Sequence, residues 1–176
     1  MKNHVIIVGA GLAGMAAAIS ANNEGASVTL IDRGSIGLGT NSALAGGQFT
    51  GPTFLHSSEE FIRDTLEVGR GINRESLVRL VASKASEGFD FLCEIGLNLA
   101  ETPTAFRIQS SSPEIIPGVT LVKKVAEKVR KLKNIQILTG FYVTEIITDN
   151  GQALGINGFD KEGKNRTIRG DSTVIA

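Results

Sequence analysis

The sequence predicts an α/β fold in which a parallel sheet is combined with a helical layer and a three-stranded antiparallel meander. Three observations predict it. The apolar run Val5-Ile6-Ile7-Val8 passes through glycines into an alanine-rich stretch, and Ser27-Val28-Thr29-Leu30-Ile31 follows. Strand, tight turn, helix and strand within about thirty residues is a βαβ unit. Residues 57–96 place apolar side chains at helical spacing, and the last third breaks into short strands punctuated by Asn150-Gly151 and by Asp160 to Gly163.

Each element has its own reason. Val5 to Val8 is short, branched and bounded by glycine, as a strand buried on both faces should be. Ala13 to Asn22 reads as a helix that closes near Gly25. Ser27 to Ile31 is the second parallel strand, reached by a right-handed crossover. Residues 33–53 are rich in glycine, serine, threonine and asparagine, but the alanines and leucine of Asn41 to Gly47 predict a short helix flanked by glycines. Ser57-Ser58-Glu59-Glu60 is a capping box, with Ser57 as N-cap and Glu60 at the third helical position. The helix it opens should bury Phe61, Ile62, Thr65 and Leu66. Asn73 can cap a second helix with Leu77, Val78, Val81 and Ala85 on one face, and Gly88 and Gly96 bound a third piece. Residues 100–118 hold three of the four prolines and serines 110 to 112, and read as a surface loop or a domain boundary. Leu121, Val122, Val125, Ala126, Val129 and Leu132 form an amphipathic stripe, with Lys123, Lys124, Lys128 and Lys131 on a solvated face. Ile135 to Leu138 and Phe141 to Thr148 are strands. Asn150-Gly151 signals a hairpin, Ala153 to Phe159 returns, and Arg166 to Arg169 completes the meander. Thr173 to Ala176 starts a further strand.

Composition narrows the function classes. A chain of 176 residues with 41% hydrophobic side chains can build a core, as one domain or one domain with the start of a second. Lys plus Arg and Asp plus Glu number 18 each, so charge gives no reason to expect nucleic acid or an anionic membrane. No apolar run approaches the roughly 20 residues of a membrane span. Val5 to Val8 is too short for a signal-peptide core, so a cytoplasmic protein is expected. Cys93 is the one cysteine, which excludes an internal disulfide or a cysteine-rich metal site, and its apolar setting predicts a small buried thiol. His4 precedes a core strand and reads as a surface residue; His56 reads as part of the turn before a helix. Neither has triad or metal spacing, and no paired-carboxylate site emerges. No catalytic residue and no metal site is therefore assigned. Arg169-Gly170-Asp171 matches an adhesion tripeptide but reads as the closing of a hairpin.

The chemistry concentrates in Gly9-Ala10-Gly11-Leu12-Ala13-Gly14, which follows a strand and opens a helix. Gly9 allows the tight turn, Gly11 leaves room for a pyrophosphate beside the backbone, and Gly14 lets helix and strand pack closely. The helix N-terminus offers unpaired N–H groups and the positive end of its dipole to phosphates. Asp32 ends the second strand eighteen residues after Gly14, where a carboxylate can accept from both ribose hydroxyls of an adenosine. It would repel a 2′-phosphate, which outweighs the adjacent Arg33 as an argument about nucleotide type. These residues say dinucleotide and leave NAD and FAD both open.

The following segments carry a resemblance. Gly39-Thr40-Asn41-Ser42-Ala43-Leu44-Ala45-Gly46-Gly47 resembles the flavin-contacting loop of the fumarate reductase / succinate dehydrogenase / L-aspartate oxidase flavoprotein family. Ser58 to Gly69 with Gly71-Ile72-Asn73 is similar to the helical stretch after that loop, and Glu94-Ile95-Gly96-Leu97 to its ending. Gly118 to Val129 resembles the helix before the adenine-contacting strand, Val143 sits where that strand gives its backbone to adenine, and Asp149 to Ile156 looks like the family's hairpin.

The resemblance implies a Rossmann-like FAD-binding fold of the glutathione-reductase type. It implies that residues 1–176 are the N-terminal portion of an FAD-binding domain. Ser172 to Ala176 looks like the start of a later cofactor motif that continues into Thr-Gly-Gly, so the capping domain and C-terminal half are expected to lie outside the chain. It implies FAD contacts from Thr40, Asn41, Ser42, Gly46, Gly47, Val143 and Ala176, beside the glycine turn, Asp32 and Arg33. Members with covalent flavin carry histidine where this chain has Thr40, so the FAD is expected to be non-covalent. The family usually has glutamate at the position of Asp32. The expected activity of the parent enzyme is hydride transfer between flavin and a small carboxylate or carbonyl substrate, with the chain alone inactive and the electron donor unassigned. An NAD-binding dehydrogenase or sensor domain and a non-catalytic flavin-binding module stand as alternatives.

Overall fold

The computed structural model describes residues 3–110, 112 and 115–176. In chain order the elements begin β1 (His4–Val8), α1 (Leu12–Asn23), β2 (Ser27–Asp32), α2 (Asn41–Leu44) and β3 (Gln48–Phe49). The middle holds α3 (Ser58–Gly69), α4 (Glu75–Glu94), β4 (Leu99–Thr102), β5 (Ala105–Ile108) and α5 (Pro117–Lys131). The last third is β6 (Ile135–Thr139), β7 (Tyr142–Asp149), β8 (Gln152–Phe159), β9 (Asn165–Arg169) and β10 (Ser172–Ile175). The chain divides into two compact units, residues 1–44 with 122–176, and residues 45–121.

The first unit is built on a four-stranded parallel sheet in the order β10-β1-β2-β6. Ile6 and Ile7 are adjacent in β1 and both fully buried. Successive strand residues point to opposite faces, so the sheet is covered on both sides. On one side Ile6 and Ile31 pack with Phe141, just before β7, and with Ile156 of the β7-β8-β9 meander. Met15, Ala18 and Ile19 of α1, and Val122, Val125 and Val129 of α5, are buried at 3% exposure or less. Lys123, Lys124, Lys128 and Lys131 are exposed, so the solvated face is as the periodicity predicts. The meander turns at Asn150 and Gly151, both at positive φ, which a two-residue hairpin requires.

The second unit pairs α3 with α4 through Phe61, Ile62, Val78 and Ala82, with half-buried Leu66. Ser57 accepts from the Glu60 N–H, and Glu60 accepts in return from the Ser57 N–H at 2.8 Å and its hydroxyl at 2.7 Å. The expected capping box is present in full.

Several expectations need correction. Asn73 does not cap α4; Arg74 does, without a side-chain bond. Asn73 instead donates to the Thr65 carbonyl at 3.1 Å and packs against Gly69, which ties the end of α3 down. Gly88 breaks nothing, because α4 runs unbroken through it for 20 residues. The buried face of α4 is Val78, Ala82 and Leu92; Leu77 and Val81 are exposed. Cys93, one residue past Leu92, is therefore exposed rather than buried. Part of the supposed irregular stretch 100–118 is a β4-β5 hairpin in a sheet of order β3-β5-β4. Phe106 holds it, with ring centroids 5.0 Å from Phe49 and 4.8 Å from Phe89. Ser111 and Pro113 of that stretch lie outside the described residues. His4 is the first residue of β1 and half-buried, its Nε2 2.9 Å from the Thr29 hydroxyl. Gly170 and Asp171 close no hairpin, since they join β9 of the meander to β10 of the parallel sheet. The Asp171 carboxylate accepts from the His4 N–H at 2.7 Å.

No helix among the described residues is long and apolar enough to cross a membrane.

Candidate functional site

The carboxyl ends of parallel strands, where the chain crosses from strand to helix, are where ligands bind in this architecture. A cavity of about 660 Å³ opens there, at the ends of β1, β2 and β10, within the first unit. The glycine turn forms its floor through Gly9, Gly11, Leu12, Ala13 and Gly14. Asp32 and Arg33 form one wall, Thr40, Asn41 and Ser42 a second, and Phe141 to Val143 a third. Ile175 and Ala176 complete the lining.

The three motif glycines differ in why they are glycine. Gly9 has φ +105°, and a Cβ there would overlap the Ala176 carbonyl. A Cβ at Gly14 would overlap the Gly9 carbonyl. Both are required by the chain's own packing. Gly11 has φ −72°, which any residue adopts, and its nearest neighbour to a Cβ is the Ser42 hydroxyl at 3.8 Å. The protein itself does not need glycine at that position. The bare backbone serves only the open space beside it.

Gly11 is also the N-cap of α1 and brings no side-chain cap. The Leu12 N–H is met at 3.3 Å by the Ser42 hydroxyl, from a different segment. Thr40 donates to the Gly37 carbonyl at 2.8 Å. The helix start therefore presents backbone donors and the Ser42 hydroxyl to one cavity, a setting suited to phosphate oxygens, while the Thr40 O–H is held by Gly37.

Asp32 ends β2 as expected, and both of its oxygens are engaged. Oδ2 accepts the Ala10 N–H and Oδ1 the Gly34 N–H, each at 2.7 Å. Ala10 itself is fully buried behind the cavity floor and does not line it. Gly46 and Gly47 belong to the second unit, where Gly47 adopts φ +73° against Pro117. The other predicted residues, Thr40, Asn41, Ser42, Arg33, Val143 and Ala176, all line the cavity.

The sequence reading did not single out Val8, Ile31, Phe141 and Tyr142, which also line it, beside Gly39 and Ile175 from the two segments that the resemblance had marked. Val8, Ile31 and Ile175 are strand ends, and a parallel order for β10 would have located them. Tyr142 is 42% exposed and stacked on Phe159, with centroids 5.2 Å apart and planes 11° apart. No local pattern marked that residue.

In the second unit, His56 Nε2 lies 3.0 Å from Asp64 Oδ2. This bond, and then one from Arg63, hold the Asp64 carboxyl below the usual carboxylate range. No group of three or more His, Cys, Asp or Glu side chains placed to hold a metal ion occurs among the described residues.

Comparison with known proteins bears on the ligand. A family model described as an FAD binding domain matches residues 4–176. An L-aspartate oxidase of Pyrococcus horikoshii is 33% identical over 166 residues, covering 89% of this chain and 34% of that protein. An NADH:fumarate oxidoreductase of Klebsiella pneumoniae is 28% identical, covering 98% of this chain and 20% of that protein. The chain thus spans about a third or less of the length of these relatives. Among solved structures, a flavocytochrome c3 fumarate reductase superposes with TM-score 0.86 at 22% identity, over 99% of this chain and 33% of that one. A quinol fumarate reductase of E. coli gives 0.84 at 21%, over 100% and 32%. These two likenesses establish the fold.

Proposed function

The chain belongs to the FAD binding domain family, and from that premise we propose that it forms the cofactor-holding portion of a flavin-dependent oxidoreductase acting on a small carboxylate or carbonyl substrate. One observation carries the site assignment. Gly11 is the one motif glycine that the chain's own packing does not demand, and it faces the cavity. A backbone kept bare there fits a pyrophosphate lying against it.

The residues present fit the dinucleotide. Gly11 and Ser42 would meet the pyrophosphate with an N–H and an O–H donor, Ser42 itself accepting the Leu12 N–H. Asp32 would meet the adenosine ribose with the lone pairs its two backbone bonds leave free. Val143 would offer its backbone to the adenine, and Thr40 and Asn41 would follow the chain toward the flavin. Thr40 offers a hydroxyl and no histidine nitrogen, which supports non-covalent attachment. When bound, FAD supplies a two-electron hydride carrier. What these residues do is bind and orient it.

The substrate class draws on the relatives' names, which mention aspartate, fumarate and acrylate, all small carboxylates. The active-site groups that would bind such a substrate are not assigned to any residue of this chain.

The test is the visible absorbance of the purified protein after FAD addition and desalting. Flavin bands retained on the protein, and released to the supernatant by acid precipitation, are the expected outcome. Bands that stay with the precipitate would reject non-covalent attachment. Absence of flavin together with NAD binding by titration would reject the FAD assignment. Residues 1–176 alone should give no turnover with succinate, fumarate or L-aspartate; robust activity would overturn the limitation to cofactor holding.

A further inference from the structure

We propose that Asp32 is a positioning residue that ties together the glycine turn, the loop after β2 and the entry to β7 before any ligand arrives, in addition to its expected contact with ribose. The inference rests on the FAD reading of the cavity and assigns a second role within it. Asp32 reaches each of these three segments by a separate hydrogen bond. Carboxylate Oδ2 accepts the Ala10 N–H of the glycine turn, and Oδ1 accepts the Gly34 N–H of the loop that follows β2. The Asp32 backbone carbonyl accepts the Phe141 N–H, just before β7, at 3.2 Å.

The glycine turn depends most on this arrangement. Ala10 is 0% exposed, so its N–H has no water to turn to. Its carbonyl is held by the Gly37 N–H at 2.8 Å. Both peptide groups of the residue between Gly9 and Gly11 are thus fixed, and the donor side is fixed by Asp32 alone. A 2.7 Å bond to an ionised carboxylate is of the stronger, charge-assisted kind. Removing the carboxylate leaves a buried donor without a partner at the point where the pyrophosphate must approach.

Substitution separates the two roles. Asparagine keeps one acceptor oxygen and puts an NH₂ group against the other N–H, so one of the two side-chain bonds is lost. Glutamate keeps the charge and the reach to ribose, but its longer stem does not form the two-residue Asx turn to Gly34. A ribose-only role predicts that Glu restores everything Asn loses. A positioning role predicts that it does not.

The experiment measures amide hydrogen exchange without ligand, and calorimetric binding of ADP and of 2′,3′-dideoxy-ADP, in wild type, Asp32→Asn and Asp32→Glu. Circular dichroism verifies folding, and Asp32→Glu carries the comparison if the Asn variant unfolds. The expected result is about tenfold faster exchange at Ala10 in Asp32→Asn, and about tenfold weaker binding even of the dideoxy nucleotide, the scale of one charged hydrogen bond. Dideoxy-ADP affinity and Ala10 exchange unchanged in both variants, with only ADP weakened, would overturn the positioning role and leave ribose contact alone. Wild-type protein that bound neither nucleotide nor FAD would remove the cofactor reading instead, and Ala10 exchange would still decide the clamp.

Discussion

At the scale of single residues, the glycine turn separates folding from binding. Gly11→Val places a branched side chain into open cavity at an unstrained φ. It should abolish FAD retention while far-ultraviolet circular dichroism and the unfolding midpoint stay close to wild type. Gly9→Ala and Gly14→Ala should fail differently, because each added Cβ overlaps backbone. Loss of soluble folded protein is expected for both, and a well-folded Gly9→Ala protein would contradict the assigned turn. The sequence made this motif legible because strand, glycines and helix are contiguous. The His56–Asp64 pair was not legible. It joins residues eight apart across a capped helix start, and neither residue has a spacing that marks it. The exposure of Cys93 was missed for a related reason: an apolar stretch of sequence does not reveal which third of its residues a helix turns outward.

At the scale of elements, the helices of the second unit offer three tests. Hydrogen bonds from the Ser57 hydroxyl, and then from its N–H, hold the Glu60 carboxyl below the usual range. A carboxylate held low in the folded state adds stability above its unfolded value, near about 4.3, and loses it as pH falls through the folded value. Glu60→Gln should therefore flatten the pH dependence of unfolding in that acidic window, lowering stability at neutral pH and converging on wild type in acid. Ser57→Ala, which removes the cap, should cost about 1 kcal/mol in denaturant unfolding at pH 7. In α4, Gly88 is exposed and a Cβ there meets nothing within 4 Å. Gly88→Ala should stabilise by about 0.5–1 kcal/mol, raising the melting temperature, since it only removes chain entropy from the unfolded state. A lowered melting temperature would mean that this face of α4 is in contact with something. The reading of Gly88 as a break failed because a 20-residue helix anchored by buried Val78, Ala82 and Leu92 outweighs one glycine. The β4-β5 hairpin was hidden for the opposite reason. Two four-residue strands around Pro103-Thr104 carry little pattern of their own, and Phe106 secures them through Phe49 and Phe89, far away in sequence.

At the scale of the whole molecule, the parallel sheet and the meander followed from local patterns: branched strands, an alanine-rich helix, an Asn-Gly turn. Strand order did not. That β10 lies beside β1 rather than beyond β6 is a pairing between residues 172–175 and 5–8. No local signal encodes it, yet it brings Ile175 and Ala176 to the cavity and makes Gly9 obligatory. The expectation that Ser172 to Ala176 belongs to the cofactor region was legible only through resemblance.

Tyr142 is the single tyrosine of a chain without tryptophan, and it lines the cavity. The near-ultraviolet emission of this protein therefore originates at the lining of the candidate cavity. Excitation near the tyrosine band should give a signal that changes on ADP titration without any label, and Tyr142→Phe should leave the protein spectroscopically almost silent. An emission unmoved by saturating ADP, with binding verified by calorimetry, would place the nucleotide away from β7. The molecule carries a built-in optical reporter, placed by one aromatic stack with Phe159.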